Sequence, residues 1–353
     1  MTFRTVMLAL EFQAPHTLGL VDAPQPEAED GDVIVDVVLA GICGTDLKIT
    51  RGEHRLYPAG TVRVPGHEFV GRVREGRADG VGPATGTLVA VAPNISCGHC
   101  TSCRRGRANL CLDYESVGLT IDGAFAESVR IPARAVEQGN LIPVPDGLDP
   151  AVAVLMEPLA AVYRGLTAIG LVRGESLVIL GAGPIGLIAV ILARQLGAGS
   201  IIVSQTSAGR RQLAADFGAT VTIDPRAENL VDRVWEETAE VGADCVLVAT
   251  PVAELYPESL RLAAVGGRIN FFAGLPGGRG EVPIDANLVH YNELFVTGST
   301  ANTTDDCEAA LAILAADPEV YLPLISHRFA LEDSLEAFRV SAAGVALKAV
   351  VEP

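Results

Sequence analysis

The sequence predicts an α/β protein in which a β-rich domain is interrupted by a doubly wound parallel sheet. Three observations carry this reading. In the first half, the runs DVIVDVVLAGICG, FVGRVREG and GTLVAVAP favour strands and are separated by Gly, Pro and Asp. From about residue 155 the texture changes to alternating strand and helix patterns, which implies parallel strands with crossover helices. The tail then reads as helices, DDCEAALAILAADPEV and SLEAFRVSAAG, before a last strand, ALKAVV, that returns to the first domain. The expected boundaries are 1–154 for the β-rich domain, 155–298 for the interruption and 299–353 for the return.

Within the interruption, SLVIL precedes a Gly-rich turn and the helix PIGLIAVILARQLG, and SIIVSQ precedes AGRRQLAADFG. Further strands, VTID, CVLVAT, RINFFAG and LFVTGS, fall between the helical stretches LVDRVWEETAEVG and ELYPESLRLAAVG or follow them. Ser176 to Ala193 carries no charge and is long enough to resemble a membrane span. Glycines and Pro184 break it after a β-favouring start, so it reads as a buried strand, a tight turn and a buried helix.

With 353 residues, nearly half of them apolar, the chain can bury two cores. A formal net charge of −17 disfavours nucleic acid and anionic membranes as partners. The N-terminal run MTFRTVMLALEFQ is too short for a signal peptide and lacks a small-residue cleavage site, so a cytoplasmic protein is expected.

Cys97, Cys100, Cys103 and Cys111 place four of the seven cysteines within fifteen residues. Closely spaced pairs gather four thiolates around a tetrahedral zinc with little loop-closure cost. Gly98, Gly106 and Pro93 supply turns in this lobe (about residues 93–113), and Arg104, Arg105 and Arg107 can offset the negative charge of a four-thiolate centre. Two disulfides or an iron–sulfur cluster are the alternatives. Disulfides need an oxidising compartment, and the spacing lacks the proline that follows the last cysteine in one ferredoxin type. A zinc closed by four thiolates has no position for substrate, so the chemistry lies elsewhere.

Gly181-x-Gly183-x-x-Gly186 follows a predicted strand and opens a predicted helix, the context a dinucleotide fingerprint requires. With Pro184 and Ile185 these residues form a candidate pyrophosphate site on a Rossmann domain. About twenty residues on, where an acid would bind the ribose of NAD, stands Gln205 in Ser204-Gln205-Thr206-Ser207. A neutral amide does not repel a 2′-phosphate, and Ser204, Thr206, Ser207 and Arg210 are candidates to bind one, with Arg211 nearby. The pattern favours NADP; the alternative is NAD, with Gln205 bonding a plain ribose and both arginines on an exposed helix face.

Cys43 in GICGTD and His67 in PGHE, where Glu68 follows it, form with Glu157 a candidate Cys/His/carboxylate set of three ligands that leaves a fourth position for water or an alcohol. GICGTD, VPGHE, the cysteine lobe, MEPLA and GAGPIG occur in the order and at the spacings of one family. The chain resembles the zinc-dependent medium-chain alcohol/polyol dehydrogenases along essentially its whole length, with the carboxylate Glu157 as in the sorbitol dehydrogenase-like branch.

That resemblance implies a GroES-like catalytic domain, two zinc ions per chain and a nicotinamide cofactor. Cys43, His67 and Glu157 would hold the catalytic zinc, with Glu68 beside it or as an alternative ligand, and Asp46 would orient His67. The metal would lower the pKa of a substrate hydroxyl, and the carbon bearing it would release hydride to the nicotinamide. Thr45 matches the hydroxyl that accepts the alcohol proton. Lys48 stands where relatives often carry a relay histidine; it is one of two lysines beside twenty-four arginines, and only a lysine can titrate. A solvated lysine, or one that bonds the ribose without titrating, is the alternative.

His54, His99 and His290 read as structural or solvent-facing, with His54 a candidate for the pocket border. Cys245 reads as buried packing, Cys307 as incidental and Trp235 as packing on an amphipathic helix. The expected function is hydride transfer between a secondary alcohol (polyol, sugar or cyclitol) and the cofactor. An NADPH-dependent biosynthetic ketone reductase and a non-catalytic nucleotide sensor on the same fold are the competing readings. A small polar alcohol or ketone is the expected partner, with no nucleic acid or membrane. The resemblance also implies a homotetramer or homodimer formed through the edge strand ELFVTGS.

Overall fold

The computed structural model describes residues 5–77, 79–276 and 280–353. The first four residues of the N-terminal run therefore lie outside the described residues. The chain forms two compact units: Met1–Ala160 together with Ala301–Pro353, and Ala161–Thr300.

In the first unit, strand Val33–Gly41 is the spine of a seven-stranded sheet. It pairs antiparallel with Glu68–Glu75, Ser128–Ile131 and the C-terminal Lys348–Glu352. Lys348–Glu352 also runs parallel to Ile325–Ala330, while Leu88–Val91 and Leu141–Pro143 extend the far side. Alternating apolar side chains such as Val33, Val35, Phe69, Val89 and Val351 fill the core. The register sets Gly41 opposite Glu68 on one neighbour and Val350 on the other. Gly41 therefore ends its strand between the first residue of one neighbour and the middle of the other.

The second unit is a six-stranded, wholly parallel sheet in the order Val221–Ile223, Ser200–Ser204, Ser176–Leu180, Ala243–Val248, Ala263–Phe271 and Phe295–Gly298. Its strand order reverses beside Ser176–Leu180, the switch point at which such sheets bind ligands beyond their carboxyl ends. Helices Pro184–Leu196 and Ala208–Phe217 each stop at a glycine in the left-handed region, Gly197 (φ 82°) and Gly218 (φ 113°). Two helical stretches differ from expectation: LVDRVWEETAEVG is helical only over Leu230–Glu237, after which Ala239 and Glu240 take positive φ (52° and 62°). The stretch ELYPESLRLAAVG is not one helix: the helix ends at Leu262 and Ala263 already begins a strand. Leu262, Ala263 and Ala264 are all buried, and pairing with Ala243–Val248 overrides their helical propensity.

No helix among the described residues is long and apolar enough to cross a membrane.

Candidate active site

The fold around Gly41 builds the site. Beyond Gly41 the chain turns into helix Gly44–Thr50, with Cys43 as its N-cap. Asp46, wholly buried in the first turn, accepts a hydrogen bond from the Cys43 backbone N–H at 2.8 Å. Its other oxygen lies 3.5 Å from His67 Nδ1. His67 follows Gly66, whose φ of 105° and close approach to the backbone of Phe125 exclude a side chain.

The ligand atoms of Cys43, His67 and Glu68 lie within 4.8 Å of one another. Glu157, at the start of helix Met156–Ala168, is not part of that trio, although the charges of His67 and Glu68 both act on it. Burial pushes the Cys43 thiol up, and the neighbouring Glu68 adds to this. Burial also pushes the Glu157 carboxyl up, against the pull of His67. For His67, burial pulls the pKa down, but Asp46 and Cys43 outweigh it and leave it well above the ordinary value. Thiol, imidazole and carboxylate, desolvated together, form a donor set that fits a zinc ion. Thr45 and Lys48 follow Cys43 on the same helix, both partly exposed.

Two neighbours of the site escaped sequence reasoning. Lys348, the other lysine, is buried and forms an ion pair with Glu68. Asn302 is wholly buried and donates from Nδ2 to Glu157 Oε1 at 2.8 Å. Lys348 had a usable signal, since a lysine in a predicted core strand needs a partner; Asn302 had none. Cys307, read as incidental, is buried, with its Sγ 3.4 Å from Asn302 Oδ1. His54 stays at the margin of the site, partly buried, its ring 6.2 Å from that of Tyr57.

The second cluster is Cys97, Cys100, Cys103 and Cys111, whose sulfurs also lie within 4.8 Å of one another. All four are free thiols, with sulfurs 3.5 Å apart for Cys100–Cys103 and 4.0 Å for Cys97–Cys103 and Cys100–Cys111. A disulfide needs about 2.05 Å, whereas zinc–sulfur bonds of about 2.3 Å at tetrahedral angles put sulfurs about 3.8 Å apart. The cluster therefore fits a zinc closed by four thiolates. Backbone hydrogen bonds, that of Cys103 first, pull the Cys100 thiol down to about 6. The three arginines of the lobe are exposed around it.

In the second unit, Gly181 (φ 105°), Gly183 and Gly186 take separate roles. A Cβ on Gly186 would lie 1.9 Å from the Gly181 carbonyl, so that glycine permits helix and strand to pack. Gly183 caps helix Pro184–Leu196 with no atom near its missing side chain, which leaves its backbone approachable. At the end of the next strand, Ser204 is buried, and Gln205 Oε1 accepts from the Ser207 N–H and the Thr206 hydroxyl, both at 3.1 Å. Arg211 is committed to the Gln205 carbonyl at 2.7 Å and to Asp224 at 2.9 Å. Burial lowers the Arg210 pKa.

Comparison with known proteins decides the family. Residues 29–146 match the alcohol dehydrogenase GroES-like domain, and residues 184–316 match the zinc-binding dehydrogenase domain. An L-threonine 3-dehydrogenase from Alteromonas mediterranea is 31% identical over 96% of this chain and 97% of its own. The chain belongs to the zinc-dependent medium-chain alcohol dehydrogenase family. A zinc-binding dehydrogenase from Sinorhizobium meliloti 1021, solved with NADP bound, superposes with a TM-score of 0.90 at 34% identity, covering 99% of this chain and 100% of that one. The alcohol dehydrogenase from Thermus sp. ATN1 gives 0.90 at 31% identity, covering 98% and 99%. This medium-chain dehydrogenase is thus a zinc-dependent, nicotinamide-linked alcohol oxidoreductase.

Proposed function

We propose that this enzyme transfers hydride between a small polar secondary alcohol (a polyol, sugar or cyclitol) and NADP. The observation that carries the reading is the cluster of half-buried Cys43 with buried His67 and Glu68 beside Glu157, with Lys348 paired to Glu68. Charge balance supports these roles. Glu68 and Lys348 cancel each other, which leaves a Cys43 thiolate, a neutral His67 and a Glu157 carboxylate to neutralise one divalent zinc. A zinc held there would polarise the substrate oxygen.

The protein groups do the rest. Asp46 fixes the turn that presents Cys43 and faces the second nitrogen of His67. Thr45, two residues along the same helix, takes the alcohol proton, and Lys48 is the candidate to pass it on. Gly181, Gly183, Pro184, Ile185 and Gly186 cradle the pyrophosphate, while Ser204, Gln205, Thr206 and Arg210 face the adenosine ribose. Support for a secondary alcohol comes from relatives named for threonine at its 3-position and, at 25% identity, for 2R,3R-butanediol. NADP is supported by the absence of an acid at Gln205 and by the cofactor of the Sinorhizobium structure.

A homo-oligomer formed along the edge strand Phe295–Gly298 belongs to the same reading; Phe295 on that edge is 53% exposed. So does a cytoplasmic location, in keeping with seven free thiols. The test is a screen of polyols, aminocyclitols and sugars with NAD and NADP on protein of measured zinc content. NADP-linked oxidation of a secondary alcohol by protein with two zinc ions per chain is expected. Zinc-replete protein that binds cofactor yet oxidises no alcohol and reduces no ketone would overturn the proposal.

A further inference from the structure

We infer that Asn302 is a positioning residue for the Glu157 carboxylate, aimed by a directional hydrogen-bond chain that starts at Tyr114. The inference rests on the proposal that Glu157 is a zinc ligand. Asn302 Nδ2 donates to Glu157 Oε1 at 2.8 Å and to the Glu157 carbonyl at 3.3 Å. Its own Oδ1 accepts from Asn94 Nδ2 at 2.7 Å. Asn94 Oδ1 in turn accepts from the Tyr114 hydroxyl. Asn140 Nδ2 pins the local backbone by donating to the carbonyls of Ala92 and Asn94 at 2.7 and 2.9 Å.

The polarity of the chain follows from the chemistry of its members. A carboxamide has its donors on one side and its acceptor on the other. When Tyr114 gives its proton to Asn94 Oδ1, Asn94 must present its amino group to Asn302. Asn302 must then present its own amino group to Glu157. The carboxylate gains a neutral donor on Oε1, which holds its plane without cancelling its charge and leaves Oε2 for a cation. Such support around a ligand governs metal affinity. Tyr114 stands three residues after Cys111, so the chain also connects the four-thiol lobe to Glu157 within one unit.

The test measures zinc affinity at the second site of the full-length protein, by competition with a chelator, with the zinc ion alone as probe. Asn302→Ala should weaken that site about 10- to 100-fold and keep the four-thiol zinc. Asn302→Asp, which sets carboxylate against carboxylate, should weaken it further. In a Glu157→Ala background, Asn302→Ala should change nothing more, whereas a general structural role would lower affinity in both backgrounds and overturn the inference. Should Asn302→Ala fail to fold, Tyr114→Phe decides: a loss of about fivefold is expected, and unchanged affinity overturns the inference. If Glu157→Ala weakens zinc but Asn302→Ala does not, the inference fails while the ligand assignment stands. If Glu157→Ala itself leaves zinc affinity unchanged, the assignment fails and the inference falls with it.

Discussion

Lys348 and Glu68 form an ion pair in which the two side chains are only 4% and 1% exposed, although 280 residues separate them in sequence. Gly41 makes the pair possible: a Cβ there would lie 2.6 Å from Glu68 Oε2 and 3.0 Å from Lys348 Cε. For Lys348, burial alone would favour the neutral amine, but Glu68 and Cys43 outweigh it and hold the ammonium form. The pair therefore sets a buried cation against the cluster of Cys43, His67 and Glu68.

Removing one partner strands the other. Lys348→Met should destabilise the protein by about 3–5 kcal/mol, because Glu68 becomes an uncompensated buried charge. Adding Glu68→Gln should restore more than half of that loss, since a neutral amide needs no counter-ion. Urea unfolding of the two variants and the parent is the measurement. A single variant within about 1 kcal/mol of the parent would show that the pair is not coupled to folding.

The two metal clusters should separate cleanly. Cys100→Ser removes a ligand from a site whose zinc contributes on the order of 10 kcal/mol to folding, so soluble, native protein should be lost. His67→Ala should remain folded with one zinc per chain and no hydride transfer. Elemental analysis beside circular dichroism checks both. An active parent carrying a single zinc per chain would contradict the assignment.

The contrast between these predictions reflects what a sequence can reveal. The cysteine spacing and the glycine fingerprint are legible because each is local: the chain closes a short loop, or a strand turns directly into a helix. The alternating strands and helices of the second unit are legible for the same reason, apart from Ala263–Ala264, where burial between strands outweighs helical propensity, and the turn after Glu237 that ends a helix early. Lys348 with Glu68 and Asn302 with Glu157 are contacts across 280 and 145 residues, created by the return of the C-terminal segment to the first sheet. No periodicity encodes which residues such a return brings together. The lysine that pairs with Glu68 is likewise invisible in the local sequence around PGHE.

His54 gives a pH prediction. Burial first, with the nearby positive charges of Arg55 and Lys48, pulls its pKa down to about 4 from an ordinary value of 6.5. The unfolded chain then binds the proton more readily than the folded one between those values. Stability from this group is therefore fully present above pH 6.5 and is lost as the pH falls toward 4. His54→Phe, which keeps a ring against Tyr57, should flatten the pH dependence of unfolding in that window. Parallel profiles for parent and variant from chemical denaturation would show that His54 titrates normally.

Cofactor choice is the most exposed prediction, and the structure divides the two arginines. Arg211 is held by Asp224 and by the Gln205 carbonyl, so its role is to brace the turn after the second strand. Arg210 starts from the same turn of helix, where Ser207 Oγ caps its backbone N–H. It is the proposed contact for a 2′-phosphate. One charge-assisted hydrogen bond of about 1.5–3 kcal/mol corresponds to roughly a ten- to hundredfold preference for NADP in kcat/KM. Arg210→Ala should remove that preference with little change in Tm, whereas Arg211→Ala should lower Tm and leave the preference in place. Gln205→Asp should reverse the preference toward NAD, by repelling the phosphate and bonding the ribose diol. A parent enzyme that already favours NAD would mean that Gln205 serves as a ribose ligand and that Arg210 makes no phosphate contact.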